Sequence, residues 1–218
     1  MNTLDITEDL FGIDISHNNG SINWNKVKTS QPRIRFVYIK ATQGVGYTDP
    51  QAKNSATGAL QSGLRFGYYH FASLNSIDAL HDAQSEADYF DSILKTLPPA
   101  SLPPVLDIET NDKRLNTQQV QQWIAAFFQR METLGHHHMI IYSYKPFFDS
   151  NLPAKHTFGN IPLWLAQYRN VPAPSLPNGW SRFLIWQFTD KGKVDGINGD
   201  CDLNKAKPEL FLLMNEPA

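Results

Sequence analysis

Cysteine is nearly absent from this 218-residue chain; Cys201 stands alone, so no intrachain disulfide can form. Blocks of like charge are missing too. Lys plus Arg number 19 against 21 acids, a net charge of −2 with neutral histidines, which disfavours a nucleic-acid partner held by a basic footprint. No apolar run approaches the roughly 20 residues that a membrane-crossing helix requires, so no membrane partner is expected. Met1 to Leu10 is acidic and lacks an apolar core, so no secretory signal peptide is expected there. Action on a target outside the cytoplasm would then need another export route or a leader already trimmed. No internal repeat, low-complexity tract or interdomain linker is visible, so residues 1–218 read as one domain and a monomer is the default.

Aromatic residues are plentiful at 12%, with five Trp and eight Tyr, enough for some rings to serve as stacking platforms for a ligand as well as core. Through the first two thirds, strand-like and helix-like stretches alternate. Phe11–Ser16 reads as a first strand, and Asn23 opens a short helix. Arg35–Thr42 is a second strand, followed by a helix from Asp49-Pro50 to about Gln61 that Gly63 stops. Arg65–Ala72 is a third strand. Ser76 to Leu97 is the longest helical pattern, with Ala79, Ala83, Ala87, Phe90 and Leu94 on one face. The stretch from Pro103 to Thr110 is a buried strand. A helix capped by Asn116 and closed by Gly135 buries Val120, Trp123, Ile124, Phe127, Phe128 and Met131. Strands then recur at 139–144, 162–168 and 183–189, with short or irregular links. His136-His137-His138 alternate faces and read as a solvated loop. The alternation predicts an α/β fold with parallel pairing, and about eight such strands close a barrel.

The chain is organised around Val105-Leu106-Asp107-Ile108-Glu109. Side chains at i and i+2 of a strand share a face, so Asp107 and Glu109 project together, roughly 6.5–7 Å apart along the backbone. Two carboxyls so placed in a poorly solvated site cannot both ionise freely, and one keeps its proton near neutral pH. Glycoside hydrolysis uses such a pair. An isolated Asp-x-Glu is more often a solvated strand end; here, however, Asp14, His70, Tyr142, Trp164, Gln167, Trp186, Gln187 and Asp202 also fall at or near strand ends. In a parallel barrel those ends line one active face, which accounts for all of them together. Taken singly, His70 would be a core histidine bonded to backbone, and Asp14 a strand-end acid.

Seven ordered motifs carry a resemblance: Phe-Gly-Ile-Asp-Ile-Ser, Ile-Lys-Ala-Thr-Gln-Gly, Gly-Tyr-Tyr-His-Phe, Val-Leu-Asp-Ile-Glu, Leu-Trp-Leu-Ala-Gln-Tyr, Trp-Gln-Phe-Thr and Gly-Ile-Asn-Gly-Asp-Cys-Asp-Leu-Asn. From about Phe11 to Asn204 the chain resembles the glycoside hydrolase family 25 lysozymes, the Chalaropsis-type N-acetylmuramidases. The resemblance implies a modified TIM-like barrel of about five β/α units followed by β strands. It also implies cleavage of the β-1,4 bond between N-acetylmuramic acid and N-acetylglucosamine in peptidoglycan, with no cofactor or metal. By motif, Glu109 is the general acid, and Asp107 serves the anomeric centre as nucleophile or by orienting the 2-acetamido group. Asp14 and Asp202 are the other two acids of the set. Tyr69, Tyr142, Trp164, Gln167, Tyr168 and Trp186 fall on cleft positions, and His70, Gln187 and Gln43 are taken with them as substrate contacts. The second motif departs from the family pattern: Gln43 stands where a Glu is usual, keeping shape and some hydrogen bonding without the charge.

Three other readings compete. A metal-dependent hydrolase would use Asp14, His70, Asp107 and Asp202, although no His-x-His ligand pair sits at a strand end. A non-catalytic glycan-binding barrel would leave the acids unexplained. A chitinase-like glycosidase fits the pair but fits the ordered motifs less well.

Overall fold

The computed structural model describes residues 9–215, and the expectation for Met1–Leu10 lies, for residues 1–8, outside them. Among the described residues the strands are β1 (Leu10–Ile15), β2 (Ile34–Gln43), β3 (Tyr47–Thr48), β4 (Arg65–Phe71), β5 (Val105–Asp107), β6 (Ile140–Tyr144), β7 (Leu163–Ala166), β8 (Ile185–Gly192) and β9 (Cys201–Ala206). The helices are α1 (Trp24–Thr29), α2 (Ala52–Gln61), α3 (Ala79–Leu94), α4 (Thr117–Thr133) and α5 (Lys145–Asn151). Strands β1, β2, β4, β5, β6, β7 and β8 pair in that order, all parallel. β9 closes the ring by pairing antiparallel with both β8 and β1, while β3 only extends β2 as a hairpin. The result is a closed eight-stranded barrel, with five β/α units and then three strands.

Period-two alternation decides what faces where. Ile13, Ile39, Phe66, Leu106, Ile141 and Leu165 point outward and are sealed under the helices. Phe36, Tyr38, Val105, Ile140, Trp164 and Ile185 point inward and fill the lower barrel. That filling needs glycine on the neighbouring strands. A Cβ on Gly12 would lie 2.3 Å from the Phe36 ring, and one on Gly67 would lie 2.4 Å from Tyr38. Above this floor the inward residues turn polar, and the opening begins there.

The helices start where their caps stand. Asn116 accepts from the Gln119 N–H at 3.0 Å and Gln119 returns the bond, a capping box for α4. Asp78 caps α3 in the same way through the His81 N–H. Asp82 then takes the Trp123 indole N–H at 2.8 Å, tying α3 to α4. Two expectations change. β5 is shorter than the stretch from Pro103 to Thr110, because after Asp107 the chain leaves the ladder. His136 is not solvated: it is half-buried and bonds Asp91 at 2.9 Å, beside the Lys95–Asp91 pair. The short helix α5 was hidden because Lys145–Asn151 contains too few turns to show a period.

Candidate active site

A pocket of about 250 Å³ opens at the C-terminal ends of the parallel strands, with Asp14, Asp107, Glu109 and Asp202 on its walls. Strand polarity explains the gathering. Asp14 and Asp107 end β1 and β5, and Asp202 begins β9, which runs the other way and so presents its start at the same rim. Asp14 and Asp202 are register partners across the β1–β9 ladder, so their side chains meet directly. Glu109 lies beyond β5 but keeps the alternation. The Ile108 N–H still bonds Tyr142 O at 3.0 Å, Ile108 is buried outward, and the Tyr144 hydroxyl holds Glu109 O at 3.1 Å.

The four acids form two touching pairs. Asp107 and Glu109 share a hydrogen bond between their carboxyls, and so do Asp14 and Asp202. Within the first pair, burial is the main cause that lifts both groups above the usual carboxylate range. The negative neighbour adds to this for Asp107, and Lys40 opposes it. Their hydrogen bond raises Asp107 further and lowers Glu109, so of the two carboxyls Asp107 holds the shared proton more tightly at rest. Asp107 sits on the floor and Glu109 half-buried at the rim. Apart from the neighbouring Glu109 carboxyl, buried Asp107 Oδ1 has no hydrogen-bond partner among the described residues.

In the second pair the roles separate. Burial lifts Asp14 above the usual carboxylate range, and the bonds that its Oδ2 accepts from Asn204 Nδ2 at 2.7 Å and Gln187 Nε2 at 2.9 Å oppose that shift without cancelling it. Asp202 is pushed up to about 8, first by burial and then by the Asp14 charge, so near neutral pH it holds the proton. The amides are fixed in turn. Trp164 Nε1 donates to Asn204 Oδ1 at 2.8 Å, and the hydroxyls of Tyr142 and Tyr168 both donate to Gln187 Oε1. Burial raises the phenols of Tyr69 and Tyr142 well above their ordinary value, so they stay donors.

Of the residues expected in the cleft, Tyr69, Tyr142, Trp164, Tyr168 and Gln187 line the pocket. His70 does not. It lies on the outward face of β4, fully buried under α3 and α4, with Nδ1 on Thr42 and Nε2 on Glu86 at 2.7 Å. Trp186 also faces outward, because it alternates with the inward Gln187; it lines a separate groove. Gln167 spends its side chain on the Ser175 N–H and its carbonyl on the Trp186 indole. Gln43 stands behind the pocket, accepting from Lys40 Nζ at 2.7 Å.

Sequence reasoning missed Lys40, Phe71 and Asn204. Lys40 follows Phe36 and Tyr38 on the inward face of β2, so parity placed it in the lumen as the one cation among the pocket acids. Burial lowers its pKa, opposed by Asp107, Asp49 and Glu109, and its ammonium lies 4.7 Å from the Phe71 ring. Among the described residues no group of three or more His, Cys, Asp or Glu side chains is arranged to hold a metal ion. His70, which the metal reading needs, is walled off from the acids.

Comparison with known proteins agrees with this architecture. Residues 13–197 match the model of Glycosyl hydrolases family 25, a span that includes Asp14, Asp107 and Glu109. Lysozyme M1 of Streptomyces globisporus is 34% identical over 223 residues, covering 97% of this chain and 74% of that protein. The N,O-diacetylmuramidase of Chalaropsis sp. is 30% identical, covering 88% and 95% respectively. Among solved structures, the lysozyme of Streptomyces coelicolor superposes with a TM-score of 0.84 at 33% identity, covering 97% of this chain and all of that one. A closed barrel with paired carboxyls at the strand ends, matched over most of its length, assigns the chain to glycosyl hydrolase family 25.

Proposed function

We propose that this glycoside hydrolase is an N-acetylmuramidase, cleaving the β-1,4 bond from N-acetylmuramic acid to N-acetylglucosamine in peptidoglycan. The observation that carries the reading is the touching Asp107–Glu109 pair in a pocket where, apart from Glu109, nothing among the described residues satisfies Asp107 Oδ1. The names of the relatives support the substrate.

Glu109, nearer the opening, takes the shared proton across its bond to Asp107 and donates it to the glycosidic oxygen as the C–O bond breaks, which leaves Asp107 charged. Asp107 faces the anomeric carbon with Oδ1, either attacking it or orienting the neighbouring 2-acetamido oxygen to do so. An inverting mechanism would seat a water between two carboxyls ~6.5–9.5 Å apart; carboxyls near enough to share a hydrogen bond suit a retaining route better, and both routes above retain configuration. The Asp107 charge, with the Asp14 carboxyl behind it, stabilises the cationic transition state. Tyr69, Tyr142 and Trp164 form the floor against which the sugar packs. Peptidoglycan strands are the partner.

Digestion of purified peptidoglycan, followed by borohydride reduction and mass analysis of the new ends, tests the reading. Muramitol ends are expected. Glucosaminitol ends would mean that the other glycosidic bond is cut, and intact strands would move the weight to a binding barrel.

A further inference from the structure

Beside the acid pocket lies a groove of opposite character, about 710 Å³, lined by Tyr168, Trp186 and Phe188 with Arg169, Lys191 and Lys205. It holds three cations against the single acid Asp190. None of the three makes an ion pair among the described residues. Lys205 is the most constrained. It is half-buried and points outward from β9, as Leu203 does, between the inward Asn204 and Ala206. Its ammonium lies 5.2 Å from the centre of the Phe188 ring, 5.6 Å from Phe11 and 5.7 Å from Trp186. Those rings hold the stem and the charge in place and donate no counter-ion. A lysine fixed by aromatic faces, with no carboxylate to neutralise it, is preorganised for an anion from outside.

Tyr168 joins the two depressions. Its hydroxyl bonds Gln187 above Asp14, and its ring also lines the groove. Tyr168 is therefore the shared wall, and a strand seated on Asp107 and Glu109 that continues past it reaches the edge of the groove on the outer face of β8 and β9. Resting on the muramidase reading, we propose that this groove is a subsite for an oxyanion substituent of the glycan strand. Two sources offer that chemistry: a carboxylate of the peptide stem on muramic acid, or a phosphate of a wall polymer. The acids of the pocket itself would repel either group, so a cationic groove one ring away lets an anionic polymer approach an acidic site.

The test uses one wall preparation in three forms: intact, freed of phosphate polymers, and freed also of peptide stems. Wild type, Lys205→Met and Lys205→Arg are compared on each, with thermal stability measured alongside. Methionine keeps the length and the apolar stem without the charge. We expect Lys205→Met to raise KM on intact wall by about five- to tenfold, the loss of roughly one charge-assisted contact, with kcat nearly unchanged. Lys205→Arg should restore it. The Met and wild-type enzymes should converge on the form that lacks the responsible anion, identifying phosphate or stem carboxylate as the source. Equal KM on intact wall overturns the subsite while leaving muramidase activity intact. So does a KM defect that persists on glycan freed of both and with its exposed lactyl carboxylates converted to amides, because Lys205 would then act on sugar or on the fold. If wild type yields no muramitol ends from any form, the muramidase reading itself fails, and the subsite with it.

Discussion

Two buried pairs of titratable side chains stand on opposite faces of neighbouring strands: Asp107 with Glu109 inside the barrel, and His70 with Glu86 outside it. Both owe their shifted protonation first to burial. Glu86 is pushed up to about 9 and His70 down to about 3, so across that range the pair is a neutral acid bonded to a neutral imidazole. Every polar atom there is used: His70 Nδ1 meets Thr42, and the Glu86 oxygens also accept from the Ser73 N–H. Phe90 and Phe127 close over the ring. The inner pair differs in two respects. It faces an opening, and apart from Glu109 nothing among the described residues satisfies Asp107 Oδ1. A perturbed titration therefore does not by itself mark a site; perturbation together with access and an unmet hydrogen bond does.

Substitutions can break this contrast. The largest effect is expected at Glu109→Gln, which removes the transferable proton; turnover should fall by about 10³-fold or more while glycan binding, followed by calorimetry, persists. Near-normal turnover would place the acid elsewhere. Glu86→Leu should do the reverse, costing roughly 2–4 kcal/mol in denaturant unfolding because His70 and the Ser73 N–H both lose their partner, with kcat in the folded fraction close to wild type. A catalytic loss without a stability loss in that variant would erase the distinction.

Glu86→Gln sharpens the same comparison through pH. Its folded value of about 9 lies above the ordinary 4.5. Between those values the native state keeps a proton that the unfolded chain has lost, so Glu86 lowers stability as pH rises. The glutamine variant should gain thermal stability relative to wild type from pH 4.5 to 9, and a difference that is flat with pH would contradict the buried neutral acid. The smallest effect belongs to Gln43→Glu. A carboxylate 2.7 Å from Lys40 would draw its charge away from Asp107 and Glu109. The alkaline limb of the activity profile should then move upward by about half a unit; a shift downward would mean that Lys40 does not act on the pair.

Much of this was legible in the chain. Alternation placed Asp14 opposite Ile13 and Ile15 and set Asp107 with Glu109 on one face, and both relations hold although Glu109 lies past the strand end. The barrel followed from strand–helix alternation, because each parallel return needs a crossover long enough to read. The same parity, carried through β4 and β8, would have turned His70 and Trp186 outward. Both were drawn into the cleft because they neighbour Tyr69 and Gln187, which do line it. What parity could not supply was closeness. The cross-strand partnership of Asp14 with Asp202, separated by most of the chain, depends on β9 returning antiparallel to β1. The aromatic seat of Lys205 likewise draws on Phe11, Trp186 and Phe188 from two other strands.

The central proposal is that Asp107 and Glu109, near enough to share a hydrogen bond, perform the cleavage with retention. Proton NMR of the anomer released first from a soluble glycan fragment tests it most directly. Retention, seen as the β-anomer appearing before mutarotation, is the result this geometry predicts. Immediate release of the α-anomer would contradict it, because inversion needs the carboxyls held apart around an attacking water.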